Sequence, residues 1–376
     1  MKSQLLDAPL IEGKQGQQCG DYIMIESVQI TNFRGFQNLK LKNLSRVNIL
    51  VGDNGSGKTA LLEALFLTGG LGPEIYLRTR AWRGAGDKML VSLERDQYEA
   101  LWKEIFYGLD QNRAVVLKFT DSASGERELR IYYDVAQTSL MPMDMKVRTS
   151  YESGDIHPIS FDWRTEGRKE QKATVTVTPQ GIMQLPQIEN LYPMMFLSSS
   201  TIFAPEENAK RFSFLSRRNR QHSVIKIIQS LFPIVEDLSV EIVAGAAGLY
   251  ASVAGLEEKI AVGSLSAGLT KYLAILFGIA AYPKGVLIID EIENGFFYKK
   301  YSDVWQGITK LAAEHETQLF ISTHSIECLQ AALPVISEHP SLFTLLRTER
   351  GEHECTVKYF SGKDLQAGLE QRIEFR

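Results

Sequence analysis

Residues 52–59 of this 376-residue chain read Gly52-Asp53-Asn54-Gly55-Ser56-Gly57-Lys58-Thr59, the types and spacing that hold a chain of phosphates. Glycines 52, 55 and 57 let the backbone bend so that its N–H groups and a following helix N-terminus face phosphate oxygens. Asn54, Gly55 and Gly57 would form the cradle, Lys58 would reach the terminal phosphates and Thr59 would ligate Mg²⁺. Far downstream the aliphatic run Val286-Leu287-Ile288-Ile289 ends in Asp290-Glu291. There Asp290 would support Mg²⁺ and Glu291 would polarise an attacking water, which makes Lys58 and Glu291 candidate catalytic groups. His324 follows a second such run, residues 318–322, and is placed to sense a terminal phosphate or the water. The other five histidines, His157, His222, His315, His339 and His353, have no such context and read as surface or core.

The elements that must position these groups follow from the hydrophobic pattern. Residues 47–51 read as a buried strand before the glycine-rich turn and residues 60–66 as a helix after it. At the carboxyl end of a strand, both Asp290 and Glu291 can reach the crevice beside the phosphate loop. Upstream, residues 22–31 and 39–44 read as strands around Asn32-Phe33-Arg34-Gly35-Phe36. Residues 96–109 read as helix. Residues 114–120, 129–133 and 173–178 alternate or are β-branched, as antiparallel strands with one wet face do, and residues 138–172 read as loop or edge. Residues 194–197 read as a buried strand, and residues 238–243 and 249–253 as a hairpin around Gly245 and Gly248. Val224, Ile228 and Leu231 have helical core spacing, and residues 263–282 read as a strongly apolar helix.

Composition bounds the class of molecule. A hydrophobic fraction of 44% is ample for a core, and a formal charge of −4 excludes a protein that coats nucleic acid through global basicity. The most basic strip, Lys210, Arg211, Arg217, Arg218 and Arg220 with aromatics between, fits either a DNA backbone or a solvated amphipathic helix. Three cysteines, Cys19, Cys328 and Cys355, without C-x-x-C spacing suggest neither a disulfide framework nor a zinc site, and point to the cytoplasm. Residues 1–21 are polar, without the apolar core of a signal peptide, and are expected to be a flexible tail. No stretch has the roughly 18 apolar residues of a membrane span.

Taken in order, the phosphate loop, a long insertion, Ser266-Ala267-Gly268, Asp290-Glu291 and His324 resemble the ABC-type ATPases. Within that class the chain is similar to the compact chromosome-associated branch of RecF, SMC and OLD-like AAA-type ATPases. Asn32-Phe33-Arg34-Gly35-Phe36 resembles that branch's N-terminal element, whose arginine lies near the nucleotide. Leu265-Ser266-Ala267-Gly268 resembles the signature motif, and Asp290-Glu291-Ile292-Glu293-Asn294-Gly295 resembles the D-E-x-E-N-G form of OLD-like and related defence ATPases.

The resemblance implies an α/β P-loop NTPase of ABC-ATPase type, with a mixed sheet, an antiparallel β-rich subdomain and a helical signature lobe. It implies one domain over residues 22–376, with a β-rich lobe at 70–190, the signature lobe at 191–282 and the half carrying the acidic pair and His324 at 283–376. ATP and Mg²⁺ would be the cofactors, and Arg34, Ser266 and Gly268 would join the nucleotide-binding set. In the family Ser266 meets the ATP of a second subunit, so a homodimer or higher homo-oligomer is implied. The function implied is an ATP-hydrolysing switch that controls a separate effector, a nuclease of Toprim or HNH type, in anti-phage defence. The alternative is a RecF-like repair ATPase that binds DNA. The chain departs from the family pattern in reading Ser-Ala-Gly-Leu where Ser-Gly-Gly-Gln is usual, in having residues 198–200 where a lid glutamine is expected, and in having Phe296 where a His is often seen. It has no heptads for an SMC arm and no acidic cluster of a Toprim nuclease.

Overall fold

The computed structural model describes residues 24–70, 72–84, 95–136, 139–140, 155–178, 183–186, 192–199, 205–373 and 375. The tail expected at residues 1–21, with Cys19, and Ser200 lie outside them.

Every residue of the strand Val47–Val51 is buried, as a strand covered on both faces must be. It lies inside a six-stranded sheet of order Met194–Leu197, Val286–Ile289, Gln318–Ser322, Val47–Val51, Phe343–Arg350, Cys355–Ser361. All neighbours in that sheet run parallel except the last pair. Alternate side chains feed two separate cores. Ile49, Leu287, Ile289, Leu319, Ile321 and Leu345 face one, and Leu50, Val286, Ile288, Phe320 and Leu346 face the other.

The second core is closed by an antiparallel sheet of order Phe36–Leu41, Ile25–Phe33, Val115–Asp121, Gly125–Tyr133, Ile159–Thr165, Gln171–Thr174. The helix Lys58–Gly69 packs against strands of both sheets and buries every residue but Thr59, which is why its sequence is apolar all round. Ile159–Thr165 corrects the expectation of loop or edge over residues 138–172. Its first five residues are all buried, so it lacks the alternation that marks a one-sided strand.

The first core is closed by the helices Pro205–Ser216, Gln221–Leu231 and Ala267–Ala281 and by a hairpin, Val235–Val243 with Ala246–Val253. The hairpin turns at Ala244 and Gly245, both with positive φ, and Gly248 lies within the second strand instead of the turn. Val224, Ile228 and Leu231 are buried as their spacing requires. The apolar helix expected from residue 263 is broken in two. A short turn, Val262–Leu265, ends where Ser266 is extended (φ −167°), and the long helix starts at Ala267. The helix expected over residues 96–109 ends at Lys103, and a 3-10 turn at Tyr107–Leu109 follows in which Gly108 is left-handed. No helix among the described residues is long and apolar enough to cross a membrane.

Candidate nucleotide site

The phosphate loop joins the carboxyl end of Val47–Val51 to the helix Lys58–Gly69, whose N-terminal cap, Gly57, has φ 109°. Gly52 also has positive φ (139°), and a Cβ there would stand 2.2 Å from the Thr348 carbonyl oxygen, so both conformation and space demand glycine. Lys58 folds back across the loop and donates from Nζ to the carbonyl oxygens of Gly52, at 2.6 Å, and Asp53, at 2.9 Å. Burial pulls its pKa below the usual lysine range, while Asp290, Glu291, Glu293 and Asp53 oppose that shift.

Gln318–Ser322 lies between the phosphate-loop strand and Val286–Ile289, so Asp290 approaches from one strand further along the sheet. Thr59 Oγ1 is 3.3 Å from Asp290 Oδ2 and 3.4 Å from Oδ1, and Ser322 Oγ also donates to Oδ1. Burial raises the Asp290 pKa, with Glu291 adding to it and the Ser322, Thr59 and Lys58 contacts opposing. A hydroxyl and a carboxylate held together in this way fit Mg²⁺, which takes few protein ligands and fills its octahedron with phosphate oxygens and water. Among the described residues no group of three or more His, Cys, Asp or Glu could hold a metal without such help.

Glu291 has φ 51°, an uncommon backbone conformation for a residue with a side chain. Three contacts hold it there. Its N–H donates to Ser322 Oγ (2.8 Å), Asn294 Nδ2 donates to its Oε2 (2.6 Å), and Lys271 Nζ donates to its carbonyl oxygen (2.6 Å).

A cleft of about 720 Å³ opens over these groups, lined among others by Arg34, Asn54, Gly55, Gly57, Lys58, Thr59, Asp290 and Glu291. Ser198 and Ser199 also line it. Arg34 has φ 48° in the turn between Ile25–Phe33 and Phe36–Leu41 and sits 3.0 Å from Glu63, a carboxylate buried within the apolar helix. Arg83 reaches the same carboxylate at 2.8 Å. Burial pushes the Glu63 carboxyl up, and the two guanidiniums pull against it.

Ser266, Gly268 and His324 are not among the residues lining this cleft. Ser266 caps its helix by accepting from Leu269 N–H at 3.3 Å. Gly268 sits against Gly295, whose carbonyl oxygen would be 2.6 Å from a Cβ at 268. His324 Nδ1 lies 2.8 Å from Glu293 Oε1. Of the basic strip, Arg211 is mostly buried and paired with Glu207 at 2.9 Å, and Arg218 lies 3.8 Å over the Phe214 ring. Lys210, Arg217 and Arg220 are exposed.

Glu63, Lys271 and Glu293 were absent from the candidates read off the sequence. Two of them carried a signal there, since Glu63 and Lys271 are lone charges inside apolar helices, and a buried charge requires a partner.

Residues 24–189 match a protein-family description that reads AAA ATPase domain. Over 343 residues, 84% of this chain and 89% of the relative, the sequence is 21% identical to an ATP/GTP phosphatase of Helicobacter pylori. It is 31% identical over 109 residues to the DNA replication and repair protein RecF of Idiomarina loihiensis, 29% of this chain and 26% of that one. The fold is that of an SMC head: the Smc head domain of Pyrococcus furiosus, solved with an extended coiled coil and bound to the C-terminal domain of ScpA, matches with a TM-score of 0.53. That likeness covers 94% of this chain and 100% of the other at 13% identity.

Proposed function

We propose that the chain is an ATP-hydrolysing switch that pairs head to tail with a second copy. Lys58 and the backbone of residues 52–58 hold the phosphates, Thr59 and Asp290 hold Mg²⁺, Arg34 stands near the nucleotide, and Glu291 orients the attacking water. Mg²⁺ supplies charge neutralisation at the phosphates when bound. His324 meets the terminal phosphate or the water. Ser266, Gly268 and the helix they open serve the ATP of the partner copy, since a helix N-terminus offers N–H donors and a favourable dipole to an anion.

The observation that carries this is the separation of the two halves. Lys58, Thr59, Asp290 and Glu291 line one cleft, and Ser266, Gly268 and His324 stand outside it. ATP binding and hydrolysis are further supported by the AAA ATPase match and by the similarity to an ATP/GTP phosphatase. Control of a separate nuclease in anti-phage defence is supported by the Asp290–Gly295 sequence form. The RecF-like alternative is favoured by the RecF similarity and by exposed Arg217 and Arg220.

Mixing two inactive variants tests the composite site. Lys58→Ala and Ser266→Arg should each lose ATP turnover by about 100-fold or more, as removal of a transition-state donor does. Mixed together, they can form a pair with one intact site, and turnover should return to a sizeable fraction of wild type. A mixture as inactive as its components would count against the head-to-tail arrangement, and full activity of Lys58→Ala would count against the site itself.

A further inference from the structure

Glu293 is a third carboxylate on the turn that carries Asp290 and Glu291, and it is 7% exposed. Burying a carboxyl group is unfavourable unless it is well paired, so its partners define its purpose. Its Oε1 accepts from the His324 backbone N–H at 2.8 Å and lies 2.8 Å from His324 Nδ1. Its Oε2 is buried with no hydrogen-bond partner among the described residues. Because a carboxylate oxygen accepts, Nδ1 is the ring nitrogen placed to donate to it. The two contacts fix the main chain and the ring of His324 together, on a side chain that is itself 46% exposed. Nε2 lies across the ring from Glu293 and is the nitrogen free to meet a ligand.

The position of this pair matters. Ser322, two residues before His324, contacts both Asp290 and the Glu291 N–H. The His324 ring therefore follows directly on the strand end that organises the acidic pair.

We propose that Glu293 is a positioning residue, which holds the His324 imidazole in one tautomer and one orientation so that Nε2 alone faces the terminal phosphate of ATP or the attacking water. Its consequence for turnover rests on the proposed ATPase reaction, whereas its effect on the ring does not. Glu293→Met removes the acceptor at similar volume, and Glu293→Gln keeps an oxygen that can accept both N–H groups.

Two measurements test this. In steady-state ATP turnover, Glu293→Met should lower kcat by about 10–100-fold with little change in KM, the scale seen when the partner that orients a functional histidine is lost. Glu293→Gln should restore much of that loss. In a His324→Ala background Glu293→Met should cost almost nothing more, since two residues acting through one contact are not additive. An equal loss in both backgrounds, or a rise in KM alone, would overturn the proposal. Nitrogen NMR of histidine-labelled protein, with His324 assigned by its loss in His324→Ala, reads the ring without turnover. Wild type should show a protonated Nδ1 in a single tautomer, and Glu293→Met a mixture. Unchanged His324 shifts would sink the proposal. Absence of turnover in wild type would instead sink the ATPase reading, with the ring still decided by NMR. If Glu293→Met does not fold, Glu293→Gln carries the same cycle with a smaller effect.

Discussion

Lys271 Nζ donates to the Glu291 carbonyl oxygen across 2.6 Å, which ties the helix Ala267–Ala281 to the left-handed residue that ends the acidic pair. The helix proposed to serve a partner's ATP is thus linked to the residue proposed to orient the attacking water at its own site. Gly268 against Gly295 makes a second such link through backbone alone.

This contact has a pH signature. Burial pulls the Lys271 amine down from 10.5 to about 8, against the opposing pull of Glu293, Glu291 and Asp290. Below about 8 the amine is charged in both states, and the folded protein bears the whole cost of the buried charge. Between about 8 and 10.5 the unfolded chain binds more protons, so this group's contribution to stability rises with pH. Relative to Lys271→Met, wild type should gain about 2–3 kcal/mol between pH 7 and pH 10 in denaturant titrations. The neutral amine keeps its N–H groups, so the contact with Glu291 survives deprotonation. Parallel stability curves for the two proteins would show that the amine is not desolvated.

The Arg34–Glu63 pair is nearly dry, with side-chain exposures of 9% and 2%. Removing one charge from such a pair strands the other. Glu63→Gln should therefore lower unfolding stability by about 3–5 kcal/mol, and it should loosen Arg34 and weaken ATP affinity as well. Equilibrium denaturation together with nucleotide titration checks both, and a variant as stable as wild type would mean that Arg83 and solvent screen the site far more than its burial implies.

The phosphate loop, Asp290, Glu291 and the strands that carry them were readable in the sequence because the chemistry fixes residue types at fixed spacing. The long apolar helix was readable from its composition, although the break at Ser266 was not. Its lone Lys271 declares a buried charge, but the acceptor is the backbone of a residue 20 positions away and is found only once the chain is folded. Glu293 is harder still. In sequence it is one carboxylate of several, and its partner His324 is 31 residues on, brought near by the pairing of Val286–Ile289 with Gln318–Ser322. The strand Ile159–Thr165 escaped notice because burial on both faces erases alternation. Arg211 looked available for a phosphate backbone, and only the folded helix shows it paired with Glu207.

In the proposed pair, one copy's Ser266 completes the site built on another copy's Lys58. Glu291→Gln should bind ATP without consuming it and so accumulate the paired state. Size measurement by light scattering should give a monomer without nucleotide, a dimer with ATP and Mg²⁺, and a monomer again when Ser266→Arg is added. A Glu291→Gln protein that stays monomeric with saturating ATP, or a dimer indifferent to nucleotide, would rule out the head-to-tail pair.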